Sequence, residues 1–227
     1  MRQTILLAAV ILIAQARPVS AQVVGGRVDD FQDGTTLGWT NGGVNLPVNI
    51  ATGGPNGSGD RFLQIMSDGS GAGGHMVAFN RTRWSGNFVA AGVTSVAADL
   101  KVTLGGPLKM RIALKSGTGI SDPGYVTTTP VDLPADGAWH HAVFGLDSGS
   151  LTGVNGPTPL NTFLQSVVEF RLLSAVGITL NGDVLTGNLG ADNITPVVVP
   201  EPSALALGGL GLAALVRRVR RQAQSRS

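Results

Sequence analysis

An all-β sandwich of about eight to ten strands, flanked by an apolar helix at each end of the chain, is the architecture the sequence predicts. Three observations point to it. The chain holds 33 glycines in 227 residues and only 13% charged side chains, a composition suited to many short strands and turns. Between residues 28 and 195 the apolar side chains come in short runs separated by Gly, Asn, Asp and Pro, without the longer helical patterns of alternating strand and helix units. Unbroken apolar runs flanked by arginine occur only at the two ends.

The first of these ends, residues 1–21, reads MRQTILLAAVILIAQARPVSA. Arg2 supplies the positive start, Ile5 to Ala14 the apolar run, and Val19 and Ala21 the small residues that precede a signal-peptidase cut between Ala21 and Gln22. Ten apolar residues are too few for a permanent membrane helix, so a removable signal peptide is expected.

Residues 22–196 form the expected domain. Its clearest strand is Leu108 to Lys115: Leu108, Met110, Ile112 and Leu114 point one way, and Lys109, Arg111, Ala113 and Lys115 point the other, which predicts one buried and one wet sheet face. Further strands are predicted at 62–66, 75–79, 93–104, 138–146 and 167–173, with a last one near Ile194. Residues 157–166 (PTPLNTFLQS) are predicted to hold a single short helical turn.

The tail, residues 197–227, has three parts in order. Val199-Pro200-Glu201-Pro202 comes first, then the apolar stretch Ala204 to Val216, then the basic cluster Arg217, Arg218, Arg220 and Arg221. The prolines keep the junction extended, a form a processing enzyme can grip. Thirteen helical residues reach roughly 20 Å, short of a hydrocarbon core of about 30 Å, so a transient inner-membrane anchor is expected, with the arginines cytoplasmic.

Charge follows the same division. Residues 22–196 carry nine basic side chains against thirteen acidic ones, so the basic pI near 9.5 belongs to the ends. Nucleic acid is therefore not an expected partner. The absence of cysteine excludes disulfides, thiolate metal sites and cysteine nucleophiles.

The tripartite tail resembles the PEP-CTERM sorting signal of Gram-negative bacteria that make extracellular polysaccharide. That resemblance implies cleavage by an exosortase, a membrane protease-transpeptidase, and a destination at the cell surface or in the matrix. A plain membrane anchor behind a proline linker is the alternative, and both place the domain outside the cytoplasm.

Four phrases within the domain resemble a jelly-roll domain common in exported bacterial proteins and carbohydrate-binding modules. They are Asp29-Asp30-Phe31 with Gly38-Trp39, Asp136-Gly137-Ala138-Trp139-His140, Val168-Glu169-Phe170-Arg171-Leu172-Leu173, and Leu189-Gly190-Ala191-Asp192-Asn193-Ile194. The resemblance implies a jelly-roll β-sandwich whose first and last strands lie side by side, with a structural calcium near their acidic residues. Asp30 and Asp192, with Asp68 as a third, are the ligands it indicates; the alternative for Asp30 and Asp192 is that they cap turns.

Catalytic chemistry finds little support. Glu169 is the single glutamate of the domain, where a glycoside hydrolase needs two paired carboxylates. His140 and His141 are strand neighbours that point to opposite faces, so they cannot share a metal, and His75 is the third and last histidine. No G-x-S-x-G elbow occurs, and the Gly53–Gly59 stretch lacks the ending of a phosphate loop, which leaves it a flexible loop. For sugar binding, Trp84 and Tyr125 are the surface candidates, while the alternation of Trp139 with Val143 places Trp139 in the core. The expected function is an exported, non-catalytic binding or structural module with an extracellular polysaccharide as its candidate ligand. A polysaccharide-active hydrolase with a concanavalin-like sandwich is the alternative.

Overall fold

The computed structural model describes residues 22–198. The signal peptide up to Ala21, the motif Val199 to Pro202, the apolar stretch and the arginine cluster all lie outside the described residues. So do both flanking helices.

Eleven strands form two antiparallel sheets. In chain order they are β1 (Val48–Ile50), β2 (Phe62–Asp68), β3 (Val77–Asn80), β4 (Val93–Leu104), β5 (Leu108–Lys115), β6 (Gly124–Thr127), β7 (Val131–Leu133), β8 (His140–Gly145), β9 (Leu151–Val154), β10 (Glu169–Ser174) and β11 (Thr186–Val198). One sheet has the order β1-β2-β11-β4-β8, the other β3-β10-β5-β6-β9 with β7 also paired to β5. The strands β2, β3, β4 and β5 alternate between the sheets, so the chain rolls around the core as a jelly-roll sandwich. A 3-10 turn at Gly71–Gly73 and the one-turn helix α1 (Leu160–Phe163) are the helical elements among the described residues.

The longest strands, β4 and β11, pair at the centre of the first sheet. The N-terminal segment runs alongside β11, through an Asp29–Ile194 bridge and a Gly26 N–H donating to the Pro196 carbonyl at 2.8 Å. The first and last described segments are therefore neighbours, but through an isolated bridge: the resemblance implied a pair of strands there, whereas the first strand, β1, lies beside β2.

Strand β5 shows how pattern becomes core. Leu108, Met110, Ile112 and Leu114 are all buried between the sheets with Leu63, Ile65, Leu100 and Leu172. Burial of such a side chain contributes about 1.5–3 kcal/mol. Trp39, Trp84 and Phe170 close one part of this core, Trp84 stacking on Phe170 at 4.6 Å and Trp39 meeting it edge-on at 5.8 Å.

The other face of β5 departs from the expectation of a wet surface. Arg111 and Lys115 are buried, because the segments 116–123 and 175–185 fold over this sheet. A second, smaller apolar cluster forms beneath them from Val77, Ala113, Val126, Leu173, Ala175 and Leu180. Arg111 survives burial by donating to the carbonyls of Thr127, Thr128, Ala175 and Val176.

Candidate binding groove and acidic cluster

Where the two covering segments leave the second sheet open, a groove of about 330 Å³ remains. Its floor is Val77 and Phe79 of β3 and Arg171 of β10, with Phe79 and Arg171 paired across the two strands. Thr118 and Ile120 form one wall and Asn181 another, with Asn41 and His75 completing the lining. Ile120 stands 80% exposed at the rim. Apolar floor and amide walls on a rigid sheet are the features of a small-ligand site.

Beneath the groove lies a charge network. Glu169 is fully buried, and both its oxygens are taken: Oε2 by Arg81 Nε at 2.6 Å and Oε1 by Arg171 Nε. Arg171 Nη1 also donates to the Leu180 carbonyl at 2.9 Å and to Asn181 Oδ1 at 2.6 Å. Both guanidiniums lie over the Phe79 ring, Arg81 at 4.3 Å and Arg171 at 5.6 Å. Lys115, opposite Glu169 in the register, donates to the Gly119 carbonyl at 2.6 Å. Burial, reinforced by the Arg171 charge, pulls its ammonium below the usual lysine range.

A second site gathers acids on the outer side of the first sheet. Asp192 is fully buried; its Oδ1 accepts from the Asn193 N–H at 2.8 Å, and its Oδ2 has no partner. Asp99 stands directly opposite it on β4. Burial, weakly offset by the Asn193 hydrogen bond and increased by the charges of Asp60, Asp99 and Asp30, pushes the Asp192 carboxyl up to about 7. Asp30 is exposed beside it and accepts from the Gln32 N–H.

These positions test the calcium ligands named above. Asp192, with an orphaned buried oxygen, and Asp30 fit a cation. Asp68 does not. It pairs with Thr186, six residues before Asp192 on β11, about 20 Å away at the strand rise. Its carboxylate instead accepts from Ser70 N and Asn45 Nδ2, which hold it below the usual carboxylate range. Among the described residues no three acidic or histidine side chains converge on one point, so backbone carbonyls and water would have to complete the shell.

The two aromatic candidates are both displaced. Trp84 is 1% exposed and belongs to the core; Arg83 and Ser85 flank it in sequence, but its indole N–H donates inward to Asp29 Oδ2. Tyr125 pairs with Leu114 and so faces the inner layer, its ring against Phe163 and its hydroxyl donating to the Thr158 carbonyl at 2.9 Å. Neither lines the groove. Trp139 reverses in the other direction. It lies half-buried on the outer side of the first sheet, against Phe62 at 5.3 Å and under Lys101 Nζ at 4.7 Å. His140 and His141 do diverge, to Asp136 and Asp99 respectively.

Residues 198–221 match the PEP-CTERM protein-sorting motif. The matched segment begins at Val198, the last residue of β11, so the sorting signal follows the fold directly. Among solved structures the chain is similar to an exo-β-agarase, with a TM-score of 0.51 and 11% identity over 78% of this chain and 25% of the agarase. The chain thus spans about a quarter of that enzyme's length. It is also similar to the family 11 carbohydrate-binding module of Clostridium thermocellum, solved with a β-1,3-1,4-mixed-linked tetrasaccharide, at a TM-score of 0.49 and 14% identity over 79% of this chain and 99% of the module. A third is the CBM22-1 xylan-binding domain of Paenibacillus barcinonensis Xyn10C, with a TM-score of 0.45 and 15% identity over 78% and 99% of the two chains. No curated protein matches the sequence. Among the described residues no helix is long and apolar enough to cross a membrane.

Sequence reasoning missed the groove because it is made of residues far apart in the chain, 41, 75–79, 118–120, 171 and 181, without a shared motif. It also missed Asp60 and Asp99 beside Asp192. The one available signal for Asp99 was its place on a confidently readable strand, which a register to β11 would have turned into a contact.

Proposed function

We propose that this protein is an exported, non-catalytic module that binds an extracellular polysaccharide in the groove over Phe79 and Arg171. The observation that carries the reading is the groove itself: amide and guanidinium donors beside an apolar floor, on a stretch of the second sheet that the covering segments leave open. Such a surface complements sugar, whose rings present hydroxyl edges and C–H faces. The fold is shared with part of an exo-β-agarase. Glu169 does not act as a hydrolytic acid in this reading, since two guanidiniums occupy both of its oxygens.

Sorting completes the reading. Signal peptidase cuts after Ala21, and an exosortase-type enzyme processes the chain at the motif beginning with Val199 and Pro200, which moves it from the inner membrane to the cell surface or matrix. Asp192 and Asp30 hold a structural calcium between β11 and the N-terminal segment, supported by the unpartnered Asp192 Oδ2.

A glycan array probed with the full-length protein, with and without calcium, tests the binding role. Thr118→Trp fills the groove from an exposed position without touching the core. Binding lost in Thr118→Trp is the expected result; a glycan bound equally by both proteins would place the ligand elsewhere, and no bound glycan would remove the role.

A further inference from the structure

The charge of the groove differs in sign from the charge of the domain, and the difference points to a class of ligand. Among residues 22–196 acidic side chains outnumber basic ones thirteen to nine. Around the groove the balance reverses. Arg81, Arg171 and Lys115 are gathered about a single buried carboxylate, Glu169, and Asp122, which acts on Lys115 from the 116–123 segment, is the one other acid of this network. One positive charge remains in excess.

The geometry directs that excess outward. Glu169 consumes only the Nε of each arginine. Among the described residues Arg171 Nη2 and both Nη atoms of Arg81 have no protein partner, and the Arg81 side chain is 42% exposed. Both guanidiniums are held over Phe79 and by Glu169, which limits the rotamer entropy an incoming group would have to overcome. A planar, preoriented guanidinium with free N–H groups matches a carboxylate or a sulfate. The low polarity of a half-covered site strengthens that attraction relative to open solvent.

Resting on the polysaccharide reading above, we propose that the groove selects an acidic glycan, a sugar chain bearing carboxylate or sulfate groups, over a neutral one. Glu169 holds the two arginines in place, and Arg81 and Arg171 read the anion. The net acidic charge of residues 22–196 disfavours polyanions on the rest of the domain.

The test uses the full chain in mild detergent with Arg217, Arg218, Arg220, Arg221 and Arg226 changed to glutamine, so that the basic tail cannot bind polyanions itself. Titration with polygalacturonate, dextran sulfate and unmodified dextran separates carboxylate, sulfate and neutral ligands. At least tenfold tighter binding of one acidic polymer than of dextran is expected, with a loss of tenfold or more in Arg81→Glu and a smaller loss in Arg81→Gln. Arg81→Glu sets a second carboxylate against buried Glu169, so its binding is read only where a thermal melt shows it folded; Arg81→Gln keeps an N–H donor toward Glu169 and carries the test if the glutamate variant unfolds. Equal affinity for dextran and the acidic polymers, or acidic binding that Arg81→Glu leaves unchanged, overturns the proposal. If the protein binds dextran or another neutral glycan and Thr118→Trp abolishes it, the polysaccharide reading stands and only the acidic preference falls.

Discussion

Trp84 donates its indole N–H to Asp29 Oδ2 at 2.7 Å, deep in the sandwich, and Trp39 donates to the same oxygen at 2.9 Å. The other oxygen, Oδ1, accepts from Arg83 Nε at 2.9 Å. Asp29 is fully buried and lies where the N-terminal segment of the domain bridges to β11 at Ile194, so one carboxylate joins that segment, β11's neighbourhood and two core indoles. Replacing it by alanine strands two buried N–H donors and a guanidinium. Asp29→Ala is expected to cost about 3–5 kcal/mol, and Asp29→Asn, which keeps one acceptor, clearly less. Urea unfolding followed by tryptophan fluorescence measures both; an alanine variant within 1 kcal/mol of the parent would remove the carboxylate from its central role.

That linkage also shows what the sequence can and cannot disclose. The bounds of β4 and β5 were readable to the residue, because alternation, long strands and flanking glycines agree there. The short strands β1, β6, β7 and β9 were not, since three or four residues carry no measurable period. Trp84 misled for a related reason: polar neighbours on either side suggest exposure, yet the ring is drawn inward by a buried acceptor 55 positions away. Arg111 and Lys115 misled because the outer face of a strand is wet only if nothing covers it, and cover comes from segments remote in sequence. That residues near 29 and near 194 come together was legible only through the resemblance carried by Asp29-Asp30-Phe31 and Asp192-Asn193-Ile194.

Asp192 makes stability depend on pH. Its carboxyl titrates near 7 in the folded chain against 3.8 when unperturbed, so the folded state retains a proton that the unfolded chain releases. The stability this proton contributes is complete below about pH 4 and is lost as pH rises through 7, a change on the order of 4 kcal/mol. In chelator, melts from pH 5 to 8 are therefore expected to show a decline that Asp192→Asn flattens. Millimolar calcium should restore the parent at pH 8 and leave the variant unmoved. Parallel pH profiles for the two proteins would show that Asp192 is not the group responsible.

The junction between fold and sorting motif makes a separate prediction. Val198 is the last paired residue of β11, held opposite Val93, and its side chain lies so close over Gly25 that an added Cβ there would approach Val198 Cγ1 to 2.3 Å. Pro200 follows two residues later. Changing Pro200, Glu201 and Pro202 to alanine leaves the sandwich untouched, so the melting temperature should stay the same while the chain accumulates in the inner membrane at its unprocessed size. Immunoblots of membrane and surface fractions read this directly, and normal surface delivery of the triple variant would separate the motif from sorting.

Trp139 and Lys101 both donate to one acceptor, the Gly53 carbonyl, at 3.0 and 3.2 Å. The segment between β1 and β2 is thereby pinned to the outer side of the first sheet, where glycine content alone predicts a loose loop. Gly190 makes room for this: a Cβ there would come within 3.1 Å of the indole and 3.2 Å of the Phe62 ring. Trp139→Phe keeps the aromatic contact with Phe62 but removes the N–H, and Lys101→Met keeps the stem but removes the ammonium. Each is expected to cost about 1 kcal/mol. Combined, they should expose residues 51–60 to limited proteolysis at a rate several times that of the parent, with the cut sites mapped by mass spectrometry. The segment also carries Asp60, whose charge acts on Asp192, so its release should lower the Asp192 carboxyl and shift the pH midpoint of stability downward. A double variant that is cut no faster than the parent would mean that the turn bonds within residues 53–60, not the two side chains, hold the loop in place.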